Sequence, residues 1–181
     1  MTNFRQRIIR AAKLDVALYE EVEADTGALP QATAVVVLSS LAAGLGSIKL
    51  AGVGGLVLGT VSALFGWYIW AFLTYFIGTR LLPEPQTSAT YGELLRTIGF
   101  SSSPGLIRIL AIIPGLARPI FLFASVWMLV AMIVAVRQAL DYRSTARAVG
   151  VCMIGWLIQA CVIMLLFWLF GPAAPPQSIS P

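Results

Sequence analysis

The sequence predicts an all-α integral membrane protein, with five transmembrane helices preceded by an amphipathic N-terminal interfacial helix. Three observations lead there. Of the 181 residues, 59% are hydrophobic and only 11% charged, against about 25% charged in an average soluble domain, so the polar side chains are too few to cover a folded surface. The apolar runs are long enough to cross a hydrocarbon core as helices, and the chain lacks the alternating segments of a membrane barrel. Lysine and arginine, finally, sort to one side of those runs.

Residues 1–28 are expected to form a surface helix and an acidic linker. At 100° per residue Phe4, Ile8, Ala11, Leu18, Tyr19 and Val22 share one arc, with Arg10, Lys13, Glu20 and Glu21 opposite, the pattern of a helix lying in the interface. The basic opening is followed by no apolar core and no small-residue cleavage site, so it does not read as a signal peptide.

A five-span membrane domain is expected over residues 29–171. The first two spans, about 31–48 and 52–77, have hardly any turn between them and predict a tight antiparallel hairpin. Gly46 in the first, with Gly55, Gly59 and Ala63 at four-residue spacing in the second, predict a helix-packing face where backbones approach closely. A polar connector and the short helix YGELLRTIGF, too polar to span, lead to a third span at about 101–117. Pro104, Pro114 and Arg108 make it the least regular, kinked or partly re-entrant. The fourth and fifth spans are expected at about 119–136 and 149–170, and the Pro-rich residues 172–181 as a disordered tail.

Nine basic residues, Arg5 to Lys13, Arg80, Arg96, Arg137, Arg143 and Arg147 among them, fall on one side of the spans, and Lys49 and Arg118 on the other. The positive-inside rule then predicts a cytoplasmic N-terminus and, with five spans, a C-terminus outside.

Two charges stand where charge is costly: Asp15, on the apolar arc of the surface helix, and Arg108, within the third apolar segment. An ionisable group at membrane depth is a functional hypothesis and usually has a partner, so Asp15 and Arg108 form a candidate intramembrane polar pair. Against this stands helix pinning, or snorkelling of Arg108 to the interface. Gln159 is weaker, as interhelical glue. The run EEVEAD reads as solvated rather than metal-binding, and Cys152 and Cys161, nine apart in one helix, are out of disulfide reach.

The chain contains no histidine, removing the usual haem ligand, general base and zinc ligand. No nucleophile elbow or P-loop appears. No enzymatic activity, cofactor, metal or nucleic-acid partner is expected; membrane lipids and other membrane proteins, or a second copy, are the expected partners.

The segments YEEVEAD and QATAVVVL, the glycine-rich hairpin, AFLTYFIGTRLL, YGELLRTIGFSSSPGLI and VRQALDYRSTARAVGV together resemble the bacterial branch of the Yip family, the Ypt/Rab-interacting membrane domain. For bacterial members the resemblance implies a five-span fold in the cytoplasmic membrane; for eukaryotic ones, trafficking adaptors. It carries over no catalytic residues. Three functions remain open: a non-enzymatic scaffold or adaptor; a small transporter, channel or lipid-translocating protein using the irregular span around Arg108; and an accessory subunit of a larger complex. A closed, dry interior fits the first, and a hydrated cavity reaching Arg108 the second.

Overall fold

The computed structural model describes residues 3–170, so the expected tail 172–181 lies outside them. Among the described residues the regular structure is entirely helical: α1 (Phe4–Ala12), α2 (Val16–Ala24), α3 (Leu29–Gly46), α4 (Ile48–Phe76), α5 (Tyr91–Phe100), a 3-10 segment (Ser103–Ile112), α6 (Ala117–Ala139) and α7 (Thr145–Phe170). Four stretches are long and apolar enough to cross a membrane: Thr26–Gly46, Gly52–Leu81, Ala117–Ala139 and Thr145–Val162.

The N-terminal region departs from the expected single helix. It breaks at Leu14, whose φ of 61° lies in the left-handed region, and Asp15 caps α2 by accepting from the Ala17 amide at 3.0 Å. Charge pairs hold the resulting hairpin closed. Arg7 reaches Glu21 and Asp25 at 2.9 and 2.8 Å, and Arg10 reaches Asp15 at 2.7 Å and Glu21 at 2.6 Å. The apolar arc packs on protein, since Ala11, Leu18, Tyr19 and Val22 are fully buried. The Arg96 guanidinium donates to the Val22 carbonyl at 2.9 Å and to that of Glu23, while Trp127 Nε1 donates to the Ala12 carbonyl at 2.9 Å.

α3 and α4 form the expected hairpin. Gly52 adopts φ 64° within the first turns of α4, a conformation open to glycine at little steric cost, and the two helices meet where Gly44 lies against Leu56.

The third predicted span is where sequence and structure differ most. The polar helix YGELLRTIGF, expected to be too polar to span, is α5, and Leu94 to Phe100 are all buried. Its charges are absorbed locally: Glu93 completes a capping box with Thr90, and Arg96 serves α2. The chain then tightens into the 3-10 segment. Gly99 sits against Ala32, Gly105 against Ser39, and Ala111 with the Arg108 carbonyl against Gly46. Both sequences ascend together, so α5 and the 3-10 segment run beside α3 in the same direction. Gly115, at φ 84°, turns the chain into α6.

α6 and α7 are joined by a turn that docks on the end of α4. The Tyr142 hydroxyl lies 2.7 Å from the Leu82 carbonyl and 3.0 Å from that of Gly78, beside a π-helical turn over Ile77–Leu81. Glu84 accepts from the Arg143 amide at 3.0 Å and pairs with Arg147 at 3.4 Å. The dense core, with Tyr19, Trp67, Ile77, Leu94, Phe100, Val136 and Leu140, belongs to this basic end. Towards the α3–α4 turn α4 is covered far less, with Val53, Val57, Leu58 and Val61 exposed.

Candidate functional site

From that looser half as far as Trp67 and Trp70 the helices flank an open cavity of about 840 Å³, lined from α3, α4, α5, the 3-10 segment, α6 and α7. Three helices contribute one stripe each. On α4 it is Gly55, Gly59, Ala63, Gly66 and Trp70; on α3, Val36, Ser40, Ala43 and Ser47; on α6, Phe121, Ser125, Met128 and Met132. These spacings of three and four place each set on a single helical face. Trp156 and Gln159 close one side from α7.

Arg108 is the charged residue of the lining, and no carboxylate is among the lining residues. Its Nε is buried without a hydrogen-bond partner, and its guanidinium stands over the Phe121 ring, 5.7 Å from the centroid. Four of the wall hydroxyls do not complement it. Ser40 donates to the Val37 carbonyl at 2.8 Å, Ser101 to that of Ile98 at 2.7 Å and Ser125 to that of Phe121 at 2.7 Å, while Ser47 donates to that of Ala43 at 3.0 Å. Each hydroxyl has one proton, so these four present only acceptor lone pairs to the cavity. Among the described residues Trp70 Nε1 is the other buried donor without a partner, at the far end of the α4 stripe.

The candidate pair from the sequence is not brought together by a hydrogen bond or ion pair: Asp15 bonds Arg10 and caps α2, whereas Arg108 faces the cavity. The four small residues also divide. A Cβ at Gly46 would lie 2.9 Å from that of Ala111 and closer still to the Arg108 carbonyl, so this glycine is at a close contact, though with the 3-10 segment rather than with α4. At Gly59 a Cβ would meet nothing within 4 Å, and Gly55, Gly59 and Ala63 all line the cavity. The serine and methionine stripes of α3 and α6 are the lining that sequence reading missed. Their helical spacing was visible, but identical spacing marks any buried helix face.

Outside the spans, burial and the neighbouring Asp141, Glu93 and Glu20 push the Glu23 carboxyl up to about 7, against an opposing pull from Arg96. Burial likewise raises the Tyr142 hydroxyl to about 12.

No curated protein and no solved structure matches the chain. The Yip1 domain does, over residues 17–170, a stretch that begins in α2, includes every wall of the cavity and ends with α7. The apolar helices and this match make the protein a membrane protein, and the chain belongs to the Yip1 domain family.

Proposed function

We propose that the protein is a non-enzymatic, five-pass membrane protein whose working part is the cavity, which takes up a molecule resident in the bilayer. The observation that carries this reading is the space of about 840 Å³ walled by polar and apolar stripes and reaching Arg108. Helices held apart along these faces leave room for a molecule that close helix packing would exclude. The scaffold and adaptor reading is motivated by the small-residue faces, the surface helix and the lack of catalytic groups; of these, the small-residue face at Gly59 borders the cavity.

The third passage, on this reading, is α5 continued by the 3-10 segment. Ten α residues and ten 3-10 residues span about 15 and 20 Å, enough for a hydrocarbon core of about 30 Å. The ordered contacts with Ala32, Ser39 and Gly46 support a full crossing parallel to α3. Five passes with the positive-inside rule place α1 and α2 on the cytoplasmic side.

The test is native mass spectrometry of the protein extracted in mild detergent, beside Gly59→Phe, which fills the cavity from an open position. Wild type should retain about one lipid per chain, and Gly59→Phe should lose it while still folding. Lipid-free wild type whose melting no added lipid shifts would overturn the reading.

A further inference from the structure

We propose that Arg108 receives the phosphate of a membrane phospholipid whose acyl chain lies along the Gly55, Gly59, Ala63 and Gly66 stripe of α4. This rests on the cavity reading above and gives it a ligand class. The first support is electrostatic. A guanidinium with a buried, unpartnered Nε is in an expensive position, and no carboxylate lines the cavity to neutralise it. Phe121 offers a ring face, which attracts a cation but accepts no strong hydrogen bond. An incoming phosphate supplies charge and acceptors together, in the planar two-point geometry arginine favours.

The walls support the same ligand. Ser40, Ser47, Ser101 and Ser125 have committed their protons to helix carbonyls, and among the described lining residues Arg108 is the cation. Gly55, Gly59, Ala63 and Gly66 of α4 form a smooth channel without side-chain polar hydrogens.

The dimensions fit one leaflet. Arg108 lies by the end of α3, its carbonyl against Gly46, and Gly44 against Leu56 sets the level of Gly55 there. From Gly55 to Gly66 the α4 axis advances about 16 Å, close to half of a hydrocarbon core of about 30 Å. The headgroup therefore sits at the interface beside the α3–α4 turn, and the chain ends near the bilayer middle. Trp70 Nε1 is about 22 Å from Gly55 along the axis, too far to share the same phosphate.

The experiment measures binding and melting in an uncharged detergent with three probes: phosphatidylglycerol, diacylglycerol and inorganic phosphate. Wild type should bind phosphatidylglycerol at least about tenfold more tightly than diacylglycerol and show no thermal shift with inorganic phosphate alone. Arg108→Gln should erase the preference while retaining diacylglycerol, and Arg108→Lys should keep part of it, about threefold. Gly59→Phe should abolish binding of both lipids with Arg108 intact. If Arg108→Gln does not fold, the Arg108→Lys result decides. Undiminished phosphatidylglycerol preference in folded Arg108→Gln or Arg108→Lys overturns the phosphate assignment but leaves the cavity reading standing. A wild-type shift with inorganic phosphate equal to that with lipid overturns the lipid as occupant. Absence of lipid binding in wild type overturns both.

Discussion

The Tyr142 hydroxyl lies 2.7 Å from the Leu82 carbonyl oxygen and ties the turn between α6 and α7 to the end of α4. The phenol has one proton for two carbonyls, those of Leu82 and Gly78. With 4% of its surface exposed, little water reaches the site to replace it. Tyr142→Phe should therefore destabilise the protein by about 1–2 kcal/mol, read as a lower melting temperature in detergent. A loss no greater than that of the exposed control Tyr68→Phe would show that the junction contributes nothing.

Gly46 and Gly59 should respond in opposite ways to the same substitution. Gly46→Leu forces a side chain into Ala111 and the Arg108 backbone, and because main chain cannot swing aside as a side chain does, the cost should exceed about 3 kcal/mol. Gly59→Leu meets open space and should leave the melting temperature near wild type. Equal damage from both would mean that α4 closes on α3 in the bilayer.

Glu23 gives the stability a pH dependence of known sign. Its carboxyl titrates at about 7 in the fold, against about 4.3 in an unfolded chain, so the folded state binds the extra proton between those values. Stability from this group is greatest below the lower value and falls as pH rises through 7, where the charged form must be buried. The carboxyls of Asp15 and Glu84 are lowered by their partners and act oppositely, in more acidic solution. Glu23→Gln should melt higher than wild type at about pH 8 and lose most of the advantage at about pH 5. A difference between the two proteins that does not change with pH would exclude the mechanism.

Single cysteines should report the five-pass arrangement. Positions replacing Asn3, Gln86 and Ser144 should label with an impermeant maleimide only from the cytoplasmic side, and Ser47 only from the other. Gln86 and Ser144 must agree whatever the orientation, because the Gln86 side chain donates to the Asp141 carbonyl at 3.0 Å. Labelling of Ser47 from the side that reaches Gln86 would remove both the hairpin and the crossing count. The matching position at Ser178 lies outside the described residues.

The long apolar runs behind α3, α4, α6 and α7 were legible because length and hydropathy alone decide them. Arg108 was legible too as an isolated charge among apolar residues, and its Nε is buried without a hydrogen-bond partner. The fate of α5 was not legible. Glu93 and Arg96 look solvated in a sequence, yet one caps its own helix and the other bonds carbonyls of Val22 and Glu23, more than seventy residues away. Composition cannot distinguish an arginine bonded to distant main chain from one bonded to water. The break at Leu14 was hidden for a related reason. The one local signal is Asp15, which caps α2, and the hairpin is held by the pairing of Arg7 and Arg10 with Asp15, Glu21 and Asp25 and by the buried Ala11, Leu18, Tyr19 and Val22.

The two arms of the first hairpin are of unequal length, and this sets where the bilayer acts on the fold. Thr26–Gly46 has 21 residues and Gly52–Leu81 has 30, or about 31 and 45 Å as helices, against a core of about 30 Å. Joined at Gly44 and Leu56, the arms put most of the excess at one end, so α4 overhangs by about 10 Å at the basic end. The bonds of the Tyr142 junction to the Gly78 and Leu82 carbonyls are built on that overhang, at headgroup depth. A thicker membrane would draw those bonds towards hydrocarbon and a thinner one would tilt α4. Hydrophobic mismatch is thus one-sided here: it strains the turn between α6 and α7 and leaves the cavity at the opposite end of α4 largely untouched.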